Sequence, residues 1–204
     1  IGMAENTINN IKVEDIDNNN YMITMKADGD RYILFINELG LVYLINMNKE
    51  VIDTSLLSNV KNTIIDGEFI TKYNSLTTLL EISSDNTNIN YIFMYKAFEI
   101  YYLNGEIVYK NNLLDRINLI QTIKFEKNTN FAIDFSIKDY YNLDDINIII
   151  EHDLQHRLGF NIDGLIYQPI EPYNDKTILH KSNYRILKWK PEKFNSIDFL
   201  INLE

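Results

Sequence analysis

After residue 20 the chain is built from short apolar runs that alternate with clusters of turn-forming residues. Runs of this length, rich in Ile, Tyr and Phe, are typical of β-strands. Asp28-Gly29 predicts a tight hairpin turn between the first two runs, and residues 37–40 predict a second hairpin. The pattern as a whole predicts strands at residues 21–25, 32–36, 41–47, 63–73, 76–83, 90–103, 163–170, 184–190 and 196–203.

Two segments change to the spacing of an amphipathic helix. Residues 113–125 carry an apolar stripe of Leu113, Leu114, Ile117 and Ile120. Residues 143–159 end at Gly159, a helix stop signal, and carry a stripe of Leu143, Ile146, Ile150 and Leu154. Without an internal repeat or a linker, the pattern predicts an α+β fold: antiparallel sheets with a few packed helices in one domain.

Composition narrows the possible classes of protein. The 204 residues carry a net charge of -10, which argues against extended binding to duplex nucleic acid because that needs many Lys and Arg contacts to phosphate. The absence of cysteine excludes disulfides and thiolate zinc sites and is compatible with a reducing intracellular compartment. No apolar run has the length of a membrane span and no signal-peptide pattern opens the chain, so we expect no membrane partner.

Common nucleotide and metal motifs are missing from the sequence. There is no Walker-type glycine-rich loop and no G-x-G-x-x-G fingerprint. His152 and His156 stand four residues apart, a spacing that can hold zinc. Both point away from the apolar stripe of their predicted helix and have no obvious third ligand, so a solvated polar face is the favoured interpretation.

Several charged residues interrupt the apolar strands. Taken singly they have ordinary explanations, because Asp-Gly is a common turn and alternate lysines mark the wet face of a strand. Buried without partners, so many charges would be costly. Gathered in one cleft they would compensate one another, with lysines neutralising a phosphate and carboxylates holding a divalent metal or a lysine. These residues are Lys26, Asp28, Arg31, Asp66, Glu68, Asp163, Lys188 and Lys190.

The ordered set resembles the covalent nucleotidyltransferases, the superfamily of mRNA capping guanylyltransferases and polynucleotide ligases. KADGDR at 26–31 matches the signature K-x-D-G-x-R, and four further elements follow in the family's order. They are DGE at 66–68, AFEIYYLNGE at 97–106, DGLIYQP at 163–169 and LKWKP at 187–191. The resemblance implies a ligase-type, ATP-grasp-like nucleotidyltransferase domain of antiparallel sheets with flanking helices.

The details resemble the capping branch of the superfamily. LKWKP followed by NSIDFLI resembles the last strand motif of guanylyltransferases, and DGLIYQP resembles their form D-G-L-I-F-x-P. FSIKDYYNL at 135–143 resembles the segment that supplies a lysine to the guanine base. The sequence departs at Glu99, where the family usually has Asp. The abundance of Asn and Ile indicates an AT-rich genome, such as that of a large DNA virus.

The resemblance implies a two-step transfer of GMP. Lys26 attacks the α-phosphate of GTP, giving a lysyl-GMP intermediate and pyrophosphate, and the 5′-diphosphate end of an RNA then takes the GMP to form a GpppN cap. A lysine attacks only when unprotonated. Lys188 and Lys190 would disfavour the protonated form and would stabilise charge on the transferring phosphate.

The resemblance also assigns the other site residues. Asp163 and Glu68 would orient the nucleophile or bind Mg²⁺ or Mn²⁺. Arg31 and Glu68 would contact the ribose. Phe98 would stack on the guanine and Lys138 would read its O6, although from the residues alone these two equally fit a core aromatic and a surface charge.

We expect residues 1–204 to form a single catalytic domain with a leader at 1–20. The resemblance implies an OB-fold beyond residue 204, and RNA triphosphatase and cap methyltransferase domains in the same chain or complex. It also implies an intracellular location: the cytoplasm, a virus factory or the virion for a viral protein, and otherwise the nucleus. Two alternatives stay open, namely an ATP-dependent RNA or DNA ligase domain and a non-catalytic subunit of the same fold.

Overall fold

The computed structural model describes residues 16–71, 93–126, 133–145, 160–174 and 186–190. Within these ranges the chain is mostly extended. It forms one α-helix, α1 (Leu113–Gln121), and a 3-10 turn at Leu143–Asp145. The strands are β1 (Tyr21–Ala27), β2 (Asp30–Ile36), β3 (Leu41–Asn46), β4 (Val51–Ser58), β5 (Thr63–Thr71), β6 (Phe93–Leu103), β7 (Glu106–Ile107), β8 (Phe125–Glu126), β9 (Ile133–Ile137), β10 (Tyr140–Tyr141), β11 (Ile162–Pro169) and β12 (Leu187–Trp189).

The larger sheet has eight strands and holds the main core. Its order is β7-β6-β5-β2-β3-β4-β8, with β9 running parallel to β6. Alternate side chains of these strands are apolar and buried, as the period of two in an extended chain requires. They pack together with Ile120 of α1 in a core that includes Leu34, Ile36, Leu44, Ile65, Tyr95 and Ile100.

The smaller sheet has the order β10-β1-β11-β12 and is antiparallel throughout. Ile23, Met25 and Leu165 form its own buried cluster. The two sheets together confirm the expected α+β class and its antiparallel character, with β9 as the parallel exception among the described strands.

The hairpin predicted at Asp28-Gly29 is wrong. β1 pairs with β10 and β11 in the smaller sheet, whereas β2 pairs with β3 and β5 in the larger one. The backbone N–H of Asp28 donates to the carbonyl of Asn161, 2.9 Å away, and not across a hairpin. The dipeptide therefore carries the chain from one sheet to the other. The second hairpin is confirmed, since β2 and β3 pair directly across residues 37–40.

The helix α1 is shorter than predicted, and its stripe differs. It begins after Asn112, whose side chain accepts from the backbone N–H of Asp115, and it ends at Gln121. Phe125 belongs to strand β8 and not to the helix. Leu114, a member of the predicted stripe, is 47% exposed, while Arg116, which the stripe did not include, is fully buried.

Other predictions fall partly or wholly outside the described residues. The strands expected at 76–83 and 196–203 lie outside them, as does the expected helix beyond residue 145 with its two histidines. Strand β4 was not predicted, because its sequence VIDTSLLS lacks a clear alternation. No helix in the described part of the chain is long and apolar enough to cross a membrane.

Candidate active site

A cleft of about 250 Å³ opens between the two sheets, and both contribute side chains to it. The smaller sheet supplies Thr24, Lys26, Tyr140, Ile166, Gln168 and Lys188. The larger sheet supplies Arg31, Glu68, Phe98, Glu99 and Tyr101. Lys138 follows β9 and also lines the cleft. Because β1 and β2 lie in different sheets, the residues of KADGDR reach the cleft from both sides.

Irregular strand pairing shapes this cleft. In β6, Phe98 and Tyr101 are each left without a partner across β5. In β11, Asp163 is skipped where β1 pairs with the residues on either side of it. Such β-bulges bend a strand and redirect a side chain. Phe98 and Tyr101 line the cleft, and Asp163 contacts Lys26 at its edge.

Gly164 allows the closest approach of two strands beside the site. Its φ is +156°, in a region that side chains rarely adopt, and a Cβ there would lie 2.0 Å from the carbonyl oxygen of Trp189. A larger residue would separate β11 from β12. The glycine of the DGLIYQP motif is therefore needed for Lys190, which follows β12, to reach Asp163.

Asp163 joins two lysines. Lys26 Nζ lies 2.8 Å from Oδ1 and 2.9 Å from Oδ2, and Lys190 Nζ lies 2.8 Å from Oδ2. Burial opposes ionisation of this carboxyl, but the hydrogen bonds from Lys190 and Lys26 outweigh it and hold the pKa of Asp163 below its ordinary value. The carboxylate is thus a fixed anion that aims the amine of Lys26 into the cleft.

Lys138 and Glu68 form a second, more deeply buried pair. Their Nζ and Oε2 atoms are 3.6 Å apart, and Nζ lies 4.9 Å from the centroid of the Phe98 ring. Burial raises the pKa of Glu68 and lowers the pKa of Lys138, and the attraction between the two groups partly offsets both shifts. The side chain of Lys138 is only 5% exposed, so it is not a surface charge.

Arg31 is held by Asp66, a residue of the DGE motif. The guanidinium makes two-pronged contact with the carboxylate, with Nε 2.9 Å from Oδ1 and Nη2 2.5 Å from Oδ2. Tyr101 donates its hydroxyl to the same carboxylate at 2.9 Å. Asp66 is fully buried and the side chain of Arg31 is half exposed. The buried carboxylate therefore holds the guanidinium in place while part of it stays exposed in the cleft.

Lys188 has no ion-pair partner within 4 Å among the described residues. The residue is exposed as a whole, but partial desolvation of its ammonium group, together with the charges of Lys26 and Arg31, lowers the pKa of Lys188. An anion entering the cleft would relieve this repulsion. Lys188 therefore marks the part of the cleft where a bound anion would be stabilised.

Glu99, the departure from the family pattern, belongs to a buried network under the cleft. Its carboxylate accepts from Arg116 Nε at 2.6 Å and Nη2 at 3.0 Å, and from the backbone N–H of Ile100. The guanidinium of Arg116 stacks on the ring of Tyr173, 4.4 Å from its centroid. Glu99 therefore ties α1 to β6 and explains why an arginine is buried in the helix stripe.

The described side chains could bind a divalent cation only together with oxygen atoms of a bound nucleotide. No group of three or more Asp, Glu, His or Cys side chains gathers to hold an ion in the part of the chain that the structure describes. Asp163 Oδ1 receives no well-directed hydrogen bond, but it is buried and lies 2.8 Å from Lys26 Nζ. It could serve as one hard ligand once Lys26 Nζ moves away from it, and phosphate and water oxygens would have to supply the others.

The structure brings to one region the eight residues to which the resemblance assigned a site role. Six of them line the cleft: Lys26, Arg31, Glu68, Phe98, Lys138 and Lys188. Asp163 and Lys190 adjoin it through Lys26. Sequence reasoning gave no role to Thr24 or Tyr101, which also line it. The only signal for Thr24 is its position two residues before Lys26 on the same face of β1, whereas Tyr101 lies within the quoted motif AFEIYYLNGE.

The fold is that of a ligase-type nucleotidyltransferase domain. The fold is shared with a solved Lig E DNA ligase, which superposes with a TM-score of 0.52 at 21% identity and covers 87% of this chain and 64% of its own. The family is narrower. The family model described as "mRNA capping enzyme, catalytic domain" matches residues 6–192, and the chain belongs to this family.

Curated relatives carry the same name. An mRNA-capping enzyme of Caenorhabditis elegans is 28% identical over 208 residues, which cover 93% of this chain and 31% of the relative. The protein named "Probable mRNA-capping enzyme" of Acanthamoeba polyphaga mimivirus is 28% identical over 236 residues, covering 91% of this chain and 20% of its own. The chain thus spans a third or less of these relatives. The resemblance to capping enzymes, with a viral one among them, is confirmed.

Proposed function

We propose that this domain transfers GMP from GTP, through a lysyl-GMP intermediate, to the 5′-diphosphate end of RNA. The observation that carries the proposal is the placement of the Lys26 amine. It is fixed by Asp163 at the edge of a cleft that also holds Lys188 and Arg31. A primary amine aimed at a site of positive charge is suited to attack a bound phosphate.

In the first step the lone pair of Lys26 Nζ attacks the α-phosphorus. A P–N bond forms, the bond from that phosphorus to the bridging oxygen breaks, and pyrophosphate leaves with the electron pair. The amine must first release a proton, which passes to water, and the second N–H proton is lost to water or to the departing pyrophosphate as the P–N bond forms. Since the pKa of Asp163 is held low, this carboxylate is a poor store for the proton and acts chiefly to orient the amine.

The cations of the cleft stabilise the charge that develops on the phosphate. Lys188 has no protein partner within 4 Å among the described residues to compete with the nucleotide. The ammonium group of Lys190 can exchange its contact with Asp163 for a contact with the phosphate. A Mg²⁺ or Mn²⁺ ion, held by Asp163 Oδ1 and by the nucleotide's own oxygens, would neutralise phosphate charge when bound. Glu68 is a weaker candidate ligand because it faces Lys138.

The other end of the cleft is suited to the nucleoside. Phe98 offers an aromatic face for stacking, and Lys138 offers hydrogen-bond donors alone, which match the O6 acceptor of guanine and not the amino group of adenine. Arg31 and Glu68 also line the cleft, and the ribose would lie against them. The donor-only lysine is the feature that favours GTP over ATP.

In the second step the terminal phosphate oxygen of the RNA attacks the same phosphorus, and the P–N bond breaks to return the lysine. The product of this step is the capped RNA. We also propose that an OB-fold, an RNA triphosphatase and a cap methyltransferase belong to the same chain or complex. The further components are proposed because the relatives exceed this domain about threefold or more in length. The proposal also includes an intracellular location.

Label transfer tests the proposal. The protein is incubated with GTP or ATP labelled at the α-phosphate, with Mg²⁺ or Mn²⁺, and covalent label is measured after denaturation. We expect a GTP-specific, acid-labile adduct that Lys26→Ala abolishes. Lys61→Ala, a change at an exposed lysine away from the cleft, should retain it. An ATP-specific adduct would instead assign the domain to the ligases. No adduct, from this chain or from a longer form, would leave a binding module.

A further inference from the structure

One hydrogen bond joins the two sheets at the end of the cleft where the nucleoside would lie. Tyr140 belongs to β10 of the smaller sheet, and its hydroxyl donates to the backbone carbonyl of Phe98 on β6 of the larger sheet, 3.0 Å away. Both residues line the cleft. A single phenol therefore connects the two walls of the cleft at the residue whose ring would stack on the base.

The backbone of Phe98 depends on this support because the sheet pairing passes it over. Pairing between β6 and β5 goes directly from Ala97 to Glu99, so Phe98 stands in a bulge. Its neighbours are fixed on both sides. Ala97 pairs with β5 and with β9, and the side chain of Glu99 is bound by Arg116. The Tyr140 hydroxyl is the side-chain contact that holds the carbonyl of the residue between them.

The segment that carries Tyr140 also carries Lys138. The backbone N–H of Lys138 donates to the carbonyl of Ala97 at 2.8 Å, and the Tyr140 hydroxyl donates to the next carbonyl along β6. Residues 138–140 thus bind two successive carbonyls of one strand. These bonds accompany the approach of the Lys138 ammonium group to 4.9 Å from the ring centroid of Phe98. The same short segment therefore places the ring and the ammonium group relative to each other.

The Tyr140 hydroxyl is suited to a fixed role. Burial, together with the nearby charge of Glu99, raises the pKa of Tyr140 well above its ordinary value. The phenol therefore keeps its proton, and it remains a donor to the carbonyl of Phe98. A group of this kind supports a neighbour and does not exchange protons with a substrate.

We propose that Tyr140 is a positioning residue that sets the orientation of the Phe98 ring and thereby the affinity for the nucleoside. This inference rests on the proposed function, since it takes Phe98 as the surface on which the base stacks. Stacking depends on the offset and tilt of the two rings, so a small displacement of Phe98 weakens it. The phosphate end should not respond, because Lys26, Asp163 and Lys190 are held by contacts among themselves.

The test compares binding of GTP with binding of tripolyphosphate, which has no base. Tyr140→Phe keeps the ring and removes only the hydroxyl. Equilibrium binding is measured in EDTA, so that no covalent step contributes. One neutral hydrogen bond corresponds to roughly a three- to tenfold change in affinity. We expect the Kd for GTP to rise by this factor and the Kd for tripolyphosphate to stay as in the wild type. In label transfer the KM for GTP should rise with kcat unchanged.

A double-mutant cycle tests whether Tyr140 acts through the ring. Phe98→Leu removes the ring that is to be positioned. Tyr140→Phe should therefore weaken GTP binding in the wild type and have little further effect in Phe98→Leu, which is the non-additivity expected of coupled residues. Equal losses of GTP affinity in the two backgrounds would overturn the inference. An equal loss for GTP and tripolyphosphate would overturn it as well.

Stability separates positioning from a general loosening of the fold. Thr54→Val removes a comparable hydroxyl, since the buried Oγ1 of Thr54 donates to the carbonyl of Val42 at 2.7 Å and Thr54 does not line the cleft. Both variants should lower the melting temperature, but only Tyr140→Phe should change the ratio of GTP to tripolyphosphate affinity. The same change of ratio in Thr54→Val would show that the ratio reports stability, and the inference would be wrong.

This inference and the proposed function fail in different ways. If label transfer gives no adduct but Tyr140→Phe weakens GTP alone, and only while the Phe98 ring is present, the positioning role stands and the covalent chemistry does not. If the adduct forms and Tyr140→Phe binds GTP as tightly as the wild type, GMP transfer stands and Tyr140 has no part in holding the base.

Discussion

The two ends of the cleft differ in the spacing of their charged groups and in the exposure of those groups to water. At the phosphate end, defined by Lys26, Asp163 and Lys190, one carboxylate joins two ammonium groups at 2.8 Å, and the lysine side chains are 22% and 26% exposed. At the base end, defined by Glu68 and Lys138, a single pair stands 3.6 Å apart, and the lysine is 5% exposed. The first pairing is close and accessible to water, and the second is loose and largely desolvated.

This contrast follows from what each end must do in the proposed reaction. At the phosphate end the amine has to change partners within one turnover, and access to water lowers the cost of breaking an ion pair. At the base end a fixed donor must be held where water cannot replace the base, so discrimination comes from desolvation. The opposite shifts of the carboxyls record the difference: the pKa of Asp163 is lowered and the pKa of Glu68 is raised.

The largest effect should come from breaking the phosphate end at its centre. Asp163→Asn keeps the shape of the side chain but removes the charge that holds Lys26 and Lys190. Misplacing a reacting group by about 1 Å can cost roughly 100-fold in rate. We therefore expect the rate of adduct formation to fall about 100-fold or more, measured at saturating GTP in the label-transfer assay.

Asp53→Asn is the matched control, because Asp53 is exposed on β4 and lies apart from the cleft. Its adduct rate should be that of the wild type. Asp163→Asn should also leave the preference for GTP over ATP intact, because the base end is unchanged. If it altered the preference but not the rate, our division of the cleft into two ends would be wrong.

A smaller effect of a different kind should come from the base end. Lys138→Met retains length and apolar bulk but removes the donor. A hydrogen bond from a charged group contributes about 1.5–3 kcal/mol. Its loss should therefore reduce the preference for GTP over ATP by roughly 10- to 100-fold, with a much smaller change in the rate at saturation. The ratio of kcat/KM for the two nucleotides measures this.

Lys124→Met, at an exposed lysine just before β8, the end strand of the larger sheet, controls for the change of residue type. Its preference should match the wild type. A Lys138→Met protein that still prefers GTP as strongly would show that Lys138 serves only to neutralise Glu68. That outcome would remove the donor from our account of the base end.

Much of the site could be predicted from the sequence because chemical identity survives in short motifs. Of the eight residues that meet in one region of the structure, six were chosen by residue type and motif order, and Phe98 and Lys138 were assigned by the resemblance alone. The pairing of the eight-stranded sheet was harder to predict. Asp28-Gly29 has the form of a hairpin turn, but the same dipeptide can pass a chain between sheets, and only long-range pairing decides which occurs.

The bulges could not be predicted for a related reason. A strand pattern assumes a regular alternation of faces, and Phe98, Tyr101 and Asp163 are the residues at which the pairing is interrupted. The helix stripe failed at Leu114 and Arg116 because apolarity was counted residue by residue. Arg116 is buried only because Glu99, 17 positions away, neutralises it.

The smallest effects that test the comparison are opposite slopes of stability with pH. Asp163 has a lowered pKa when folded, so between that value and its ordinary 3.8 the unfolded chain holds more protons. Its contribution to stability is present above pH 3.8 and is lost as the pH falls. Glu68 has a raised pKa, so above its ordinary 4.5 the folded chain holds more protons. Its contribution is lost as the pH rises through the folded value.

Denaturant unfolding of the wild type, Asp163→Asn and Glu68→Gln at pH values from 3 to 7 isolates each slope as a difference from the wild type. The stability advantage of the wild type over Asp163→Asn should shrink between pH 4 and pH 3. Its advantage over Glu68→Gln should shrink as the pH rises above 4.5. Slopes of the same sign would mean that both carboxyls share one environment, and the contrast between an accessible and a desolvated end would then have no electrostatic basis.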